Sequence, residues 1–384
     1  MNQLKILVLL ALIFILNISL KAQTINIEQS EAAGEEYFFS LCYGLEMDTI
    51  ASGSLDEAGG ITIKLPEENK GYKGLAFFCV KDRPMQILII NSEDFKVKLG
   101  NTMPEFENSR ENDAFNKKDI SLLSDTSLYA NRFFELSSYF QSLRSVLSGQ
   151  SMGLGDRYKV RNYAEEKLNA DDLYSSGLWF YVIDGLTQLY PDQESFAKAM
   201  ISILNRVKSE KVYIGLSENL VTILNQYSWE EAFDLIVPSI VESGRIKYPQ
   251  GTLYDAFQMA KLVKGALAPN LDGLSNKKHN GQTLVFFFES DCNNCRAELK
   301  KLRDAYAQLK EKNIRIVSVS ADHDREAYSN AVKDIPWKDA LCDYKGFAGI
   351  NFLNYGISAT PTYFLLDSEF RVMKRFSQLA NIDL

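Results

Sequence analysis

Histidine is nearly absent from this 384-residue chain, which holds only His279 and His323. A structural zinc site takes four nitrogen or sulfur ligands, usually as two pairs. Besides the close pair Cys292 and Cys295, the same region offers only Cys342 and no second pair at ligand spacing, so no metal is expected. Basic clusters are missing as well. Lys+Arg total 42 against 50 Asp+Glu, the formal charge is −8, and no Lys/Arg run stands out, which argues against nucleic acid as a partner. There is no glycine-rich phosphate cradle: Gly149–Gly155 carries a lone Gly-Leu-Gly among small polar residues and reads as an exposed loop. No cofactor is expected. What remains, 46% hydrophobic and 24% charged residues, is ordinary globular composition with length for two or three cores.

The apolar run Ile6–Leu16 is too short for a comfortable membrane span and has the length of a signal-peptide core. Lys5 precedes it, and Leu20-Lys21-Ala22 offers a small residue before Gln23. Residues 1–22 are therefore expected to be a signal peptide, with a retained N-terminal anchor as the alternative. No cysteine lies near the end of the run, so no lipid-anchor cysteine is expected. Removal of Lys5 and Lys21 leaves 40 basic against 50 acidic residues, a charge of −10. The expected location is exported and periplasmic, where disulfides persist unless something reduces them. Five cysteines, an odd number, leave at least one thiol free or intermolecular.

From residue 23 to 104 the pattern is short and β-like. Glu36–Tyr43, Ile61–Leu65, Leu75–Val80, Gln86–Ile90 and Phe95–Leu99 read as strands punctuated by Gly59-Gly60, Gly71, Gly74 and Arg83-Pro84, as in a small antiparallel sandwich. Cys42 and Cys79 sit inside two of these strands and either pair across the sandwich or remain buried thiols. Glu105–Asn112 is mostly polar and reads as a linker. Residues 105–264 form a helical domain: Phe196, Met200, Ile203, Leu204 and Val207 recur at helical spacing, as do Leu220, Ile223, Leu224 and Tyr227. Ser228-Trp229-Glu230-Glu231 has the form of a capping box, and Pro238 is expected to end or kink the helix that follows. After Ala268–Gly273 the order becomes strand, helix, strand, helix, then a hairpin of Thr362–Leu366 and Phe370–Lys374, an α/β domain over residues 265–384.

That last domain opens with Leu284–Phe288, a buried strand, running into Cys292-Asn293-Asn294-Cys295 at a helix start. Two cysteines at this spacing can close and reopen a disulfide. A thiolate at a helix N-terminus is stabilised by unpaired backbone N–H groups and the helix dipole. An inert structural disulfide is disfavoured, because so small a loop removes little chain entropy. Thr360-Pro361 precedes an apolar strand and suits a cis bond in a tight turn, with the Thr360 backbone beside the sulfurs.

Strand–CxxC–helix, then Val319-Ser320-Ala321-Asp322, then Thr360-Pro361-Thr362 and a hydrophobic hairpin, resembles the thioredoxin fold and, more narrowly, exported TlpA/ResA-like thiol–disulfide oxidoreductases. The resemblance covers about Gly265 to Gln378, with Gly265–Leu271 similar to the family's entry segment. The β-rich and helical parts upstream resemble extensions found on such proteins in Bacteroidetes. The resemblance implies Cys292 as attacking thiolate, Cys295 as buried resolving thiol, Pro361 as the family's cis-proline, and a substrate site at Thr360, Asn293 and Asn294. It also implies that Glu298 is an acidic group near the thiols; read alone, Glu298 is equally a surface helix glutamate. A membrane electron donor and disulfide-containing envelope proteins are the implied partners.

The departures from the family pattern lie around the motif. Asp291 stands where the family usually has tryptophan, and its charge disfavours a thiolate on Cys292. Phe286 occupies the strand position where thioredoxins carry a buried acid, and Glu289, close to the motif, is a substitute. The chain has little room after Phe376 for the usual closing helix. Cys342 reads as a small core residue. The expected function is extracytoplasmic thiol–disulfide exchange in the reducing direction, favoured because the motif lacks an electropositive environment. The alternative is a binding or envelope-stress module that uses the fold as a scaffold.

Overall fold

The computed structural model describes residues 23–100, 103–117, 124–150, 153–274 and 279–382. The expected signal peptide, residues 1–22, lies outside them. The chain divides into two compact units: the described residues through Tyr163 with Lys167–Leu189, and Ala164–Glu166 with Tyr190 onward. The architecture is multidomain, with a β-rich N-terminal region, a helical middle and a C-terminal α/β thioredoxin-like fold. Among the described residues no helix is long and apolar enough to cross a membrane.

The first unit begins with strands β1 (Thr24–Glu28), β2 (Glu36–Tyr43), β3 (Glu46–Ser54), β4 (Gly60–Lys64), β5 (Lys73–Val80), β6 (Gln86–Asn91), β7 (Phe95–Lys98) and β8 (Glu105–Glu107). They form two four-stranded sheets, β4-β1-β7-β8 and β3-β2-β5-β6, which share one core. Inward alternation supplies that core: Ile25, Ile27, Ile63, Phe95 and Val97 from one sheet meet Phe39, Leu41, Phe78, Leu88 and Ile90 from the other. The sandwich is not purely antiparallel, since β1 pairs parallel with β7. Cys42 and Cys79 do not face each other across it. They lie on adjacent strands of one sheet, Cys79 opposite Phe38 and hence four residues out of register with Cys42, and both are free thiols.

Helices α1 (Arg110–Lys117), α2 (Tyr129–Leu147), α3 (Leu154–Glu166), α4 (Ala170–Tyr174) and α5 (Trp179–Leu189) follow. The expected linker at Glu105–Asn112 is instead β8 and the start of α1. Three of its polar residues, Ser109, Glu111 and Asn112, are buried, and Glu111 and Asn112 satisfy backbone groups rather than solvent. Asn112 accepts from the Ile89 N–H (2.8 Å) and donates to the Ile89 carbonyl (2.9 Å). The buried Glu111 carboxylate accepts from the Tyr129 and Ala130 N–H groups (2.9 and 2.8 Å), capping α2 from another helix. Leu75 and Ile89 pack against Ala114, Leu128, Tyr129 and Ala130, so β5 is covered on both faces and reads as a nearly continuous apolar run.

The second unit holds helices α6 (Gln193–Arg206), α7 (Glu210–Tyr227), α8 (Glu230–Glu242) and α9 (Gly251–Met259). The predicted capping box is absent. Only Ser228 and Trp229 separate α7 from α8, and Ser228 is used by the earlier helix: it takes φ 52° and its N–H closes onto Leu224 and Asn225 carbonyls. Trp229 is the N-cap of α8 without a side-chain bond. Pro238 does not end α8, which continues to Glu242 while burying Phe233, Ile236, Val237 and Ile240.

The unit continues with β9 (Gln282–Phe288), α10 (Asn293–Glu311), β10 (Ile314–Ser320), α11 (Arg325–Val332), β11 (Asp339–Cys342), α12 (Ile350–Tyr355), β12 (Thr362–Leu366) and β13 (Val372–Phe376). The sheet order is β11-β10-β9-β12-β13, parallel through β11-β10-β9 and antiparallel at β12 and β13. Central β9 is buried on both faces, as a parallel strand must be. Phe286 and Phe288 join Leu299, Leu302 and Tyr363 on the α10 side, and Phe287 meets Phe352 and Tyr355 of α12 on the other. After β13 a 3-10 turn, Leu379–Asn381, puts Leu379 into the α10-side core. The entry segment runs beside β13, with Gly265 N–H to Val372 O (2.7 Å) and Ala268 N–H to Phe370 O (2.8 Å).

Helices α6–α9 are anchored to this fold by specific contacts. Arg375 of β13 pairs with Asp234 (2.7 Å) and lies over the Phe233 ring (4.3 Å). Gly356 ends α12 at φ 64°, and a Cβ there would come within 2.5 Å of the Asp255 carbonyl and 2.6 Å of the Met259 nitrogen. Gly356→Ala therefore combines left-handed strain with a backbone clash. It should lower unfolding free energy by about 2–4 kcal/mol in urea titrations; a change within about 0.5 kcal/mol would show that α9 does not rest on this glycine.

Candidate active site

The site starts where β9 delivers its chain end to α10. The Ala321 N–H bonds the Phe288 carbonyl (2.9 Å), and Asp322 then ties down Ser290, two residues on. Its Oδ1 accepts from the Ser290 N–H (3.0 Å) and hydroxyl (2.7 Å), and its Oδ2 from the Ser320 hydroxyl (2.6 Å). Asp322 is nearly buried, so these bonds replace water and fix the turn that presents Cys292. Cys292 is the N-cap of α10, and its Sγ accepts from the Cys295 N–H at 3.2 Å. One of the N–H groups left open at a helix start is thus taken by this sulfur.

The two thiols differ in environment. Cys292 is half-buried and Cys295 fully buried, with 0% of its surface exposed. Burial, then the neighbouring Cys292 sulfur, pushes the Cys295 thiol up to about 12. The Thr360–Pro361 peptide is cis, and Thr360 and the Glu289 backbone work against that rise by favouring the thiolate. The Thr360 hydroxyl donates to Glu289 Oε1 at 2.7 Å.

The structure brings Cys292, Cys295, Thr360, Pro361 and Asn294 together. Asn294, Thr360 and Pro361 line one side of a cavity of about 190 Å³. Leu224, Asn225, Gln226, Ser228 and Trp229 from the α7–α8 corner line the other. Asn293 begins the same helix, but its side-chain oxygen accepts from Arg296. Glu298 is not a surface glutamate; it is 4% exposed. Its carboxylate accepts from the Leu379 N–H (2.7 Å), the Tyr363 hydroxyl (3.2 Å) and Lys301 (2.7 Å), and none of these bonds reaches a sulfur. Burial, followed by the Glu298 charge, raises the Tyr363 hydroxyl above the usual phenol range.

Three features of the site were not legible in the sequence. Arg296 folds back onto the Ser290 and Asp291 carbonyls (3.3 and 3.4 Å), so the motif does carry a cation, contrary to expectation. Its spacing of four residues after Cys292 was the available signal. Tyr363 and the α7–α8 corner gave no signal at all, because their roles depend on tertiary placement.

Residues 281–372 match the family model described as thioredoxin-like. The chain is similar to the thiol-disulfide oxidoreductase ResA of Bacillus cereus, 31% identical over 134 residues, which are 32% of this chain and 76% of that protein. Against ResA of Bacillus anthracis it is 29% identical over 150 residues, 36% of this chain and 84% of the other. Among solved structures, a thiol-disulfide oxidoreductase from Bacteroides fragilis is 28% identical, covering 28% of this chain and 80% of its own, with a TM-score of 0.26.

The contrast between the thiols has a direct consequence. Thiolates alkylate and thiols do not. Brief iodoacetamide treatment of the reduced native protein at pH 8, read by peptide mass spectrometry, should modify Cys292 and spare Cys295. Equal labelling of both would contradict the burial described.

Proposed function

Because this chain belongs to the thioredoxin-like family, among the ResA-type thiol–disulfide oxidoreductases, we propose that Cys292 and Cys295 form its redox pair and that it reduces disulfides of envelope proteins outside the cytoplasm. The observation that carries this reading is the pairing of an accessible sulfur at a helix start with a buried sulfur one turn on, both beside the Thr360–Pro361 turn. Cys292 attacks one sulfur of the partner's disulfide, and the partner's other sulfur leaves as a thiolate. Cys295 then attacks Cys292, the Cys292–partner bond breaks, and the partner departs reduced. Two electrons move from the cysteine pair to the partner.

The reducing direction draws support from the missing cation at the Cys292 sulfur. Strong oxidants of this fold hold their reduced form as a stabilised thiolate. Here Arg296 is spent on carbonyls and Asn293 rather than on a sulfur. Repeated turnover then needs an electron donor, in this reading a membrane protein that reduces the Cys292–Cys295 disulfide. Pro361 and Thr360 offer main chain to an extended partner segment, with Asn294 at its side. The α7–α8 corner gives that segment a second, largely polar wall, which favours a polypeptide over a small disulfide. In this reading residues 265–384 carry the chemistry.

Cys292→Ser should abolish reduction of insulin disulfides. Cys295→Ser should accumulate a partner linked through Cys292, visible on a non-reducing gel and released by dithiothreitol. Wild-type turnover by Cys292→Ser would sink the assignment.

A further inference from the structure

The cavity beside the Thr360–Pro361 turn has walls of two origins. Asn294, Thr360 and Pro361 belong to the thioredoxin-like fold. Asn225, Trp229 and Glu230 come from the α7–α8 corner, outside the residues 281–372 that match the family model. A cavity of about 150 Å³ already admits a benzene-sized group. The cavity here, of about 190 Å³, has room for one long side chain of a partner.

The helical wall is held in place from behind. The Trp229 ring meets Phe196 edge-on, with centroids 5.1 Å apart, and lies 5.6 Å from the Tyr227 ring. One open N–H at the start of α8, that of Ala232, donates to Gln193 Oε1 at 3.2 Å. Glu230 is the first residue of α8, a position where the helix dipole favours negative charge.

The charges of the lining do not cancel. Arg375 is matched, because Asp234 takes its guanidinium at 2.7 Å and the Phe233 ring lies under it at 4.3 Å. Glu230 is not matched. It is half-buried, and among the described residues no hydrogen bond or ion pair engages its carboxylate. The side-chain amides of Asn225 and Asn294 are likewise unengaged among the described residues. A half-buried carboxylate on a cavity wall, with no counter-ion, is complementary to a cation. A lysine or arginine stem packs along an aromatic wall while its charged end reaches the anion.

We propose that this cavity is a specificity pocket for a basic side chain of the partner polypeptide, close in sequence to the partner's disulfide, with Glu230 as the recognising charge. The inference rests on the redox role of the Cys292–Cys295 pair. Glu230 meets the ammonium or guanidinium group, the amide oxygens of Asn225 and Asn294 accept its further hydrogen bonds, and the stem lies along Trp229. Seating the basic residue brings the neighbouring disulfide to the Thr360–Pro361 turn, so the preference acts on attack by Cys292 and not on the later attack by Cys295. A partner with an acidic residue at that point places two carboxylates together and is rejected.

The test uses the reduced full-length protein and single-cysteine peptides capped as mixed disulfides with thionitrobenzoate. Cys292 attacks the peptide sulfur, the S–S bond breaks, and thionitrobenzoate leaves as a coloured thiolate. Lysine, norleucine or glutamate occupies each flanking position in turn. At the best position the lysine peptide should react about tenfold faster than the norleucine peptide, with the glutamate peptide slowest. Glu230→Gln should bring lysine and norleucine within about twofold of each other. Glu230→Lys should reverse the order and make the glutamate peptide fastest, an outcome that misfolding does not produce. Glu231→Gln removes the same formal charge from an exposed neighbour on α8 and should keep the lysine preference. Equal loss of the preference in Glu231→Gln would assign it to the negative charge of the whole chain and overturn the pocket. An unchanged preference in Glu230→Gln, or equal rates for the three peptides with wild-type protein, also overturns it. Failure of wild-type Cys295 to displace the peptide from Cys292 would instead overturn the redox reading beneath the proposal.

Discussion

Burial of the Cys295 sulfur against the Thr360–Pro361 turn is the contact on which the site depends. It makes two chemically identical side chains unequal. Cys292, at the open end of α10, accepts the Cys295 N–H and is half-buried; Cys295, one turn deeper, is fully buried in the core with Phe286 and Phe288 of β9. The surrounding sheet exists in this form to hold that contact. Phe286 and Phe288 set the height of α10, Phe287 anchors α12 on the other face, and the antiparallel β12 returns the turn to the end of β9.

Two buried carboxylates fix this geometry. Asp322 locks the loop into Cys292, and Glu298 locks α10 to β12 and to the 3-10 turn after β13. Each accepts several hydrogen bonds and so behaves as a brace. Helices α6–α9 are part of the same compact unit. Through Arg375, Phe233 and Gly356 they rest on the thioredoxin-like fold, and the α7–α8 corner lines one cavity with the Thr360–Pro361 turn.

Much of the fold was legible in the sequence, for identifiable reasons. The Leu284–Phe288 run, the Cys292–Cys295 spacing and the Thr360-Pro361 pair are local patterns with one dominant physical solution each. The strands of the sandwich were readable where alternation was clean, and β3, exposed along most of its length, was not. Polar residues misled wherever they face inward. Glu105–Asn112 looked like a linker because Glu111 and Asn112 serve distant backbone groups, and Glu298 was ambiguous because its partners Tyr363 and Leu379 lie 65 and 81 residues away. Ser228 failed as a cap because α7 had already claimed it. Such roles are set by tertiary neighbours, which no local window contains.

The most direct test of the central claim, that an unequal Cys292–Cys295 pair is poised for reduction of a partner, is its equilibrium with glutathione redox buffers, read by alkylation and mass spectrometry. The expected result is one reversible two-electron couple at a potential more negative than about −200 mV. A pair that forms no disulfide, or one as oxidising as the roughly −120 mV of strong oxidants of this fold, would contradict it.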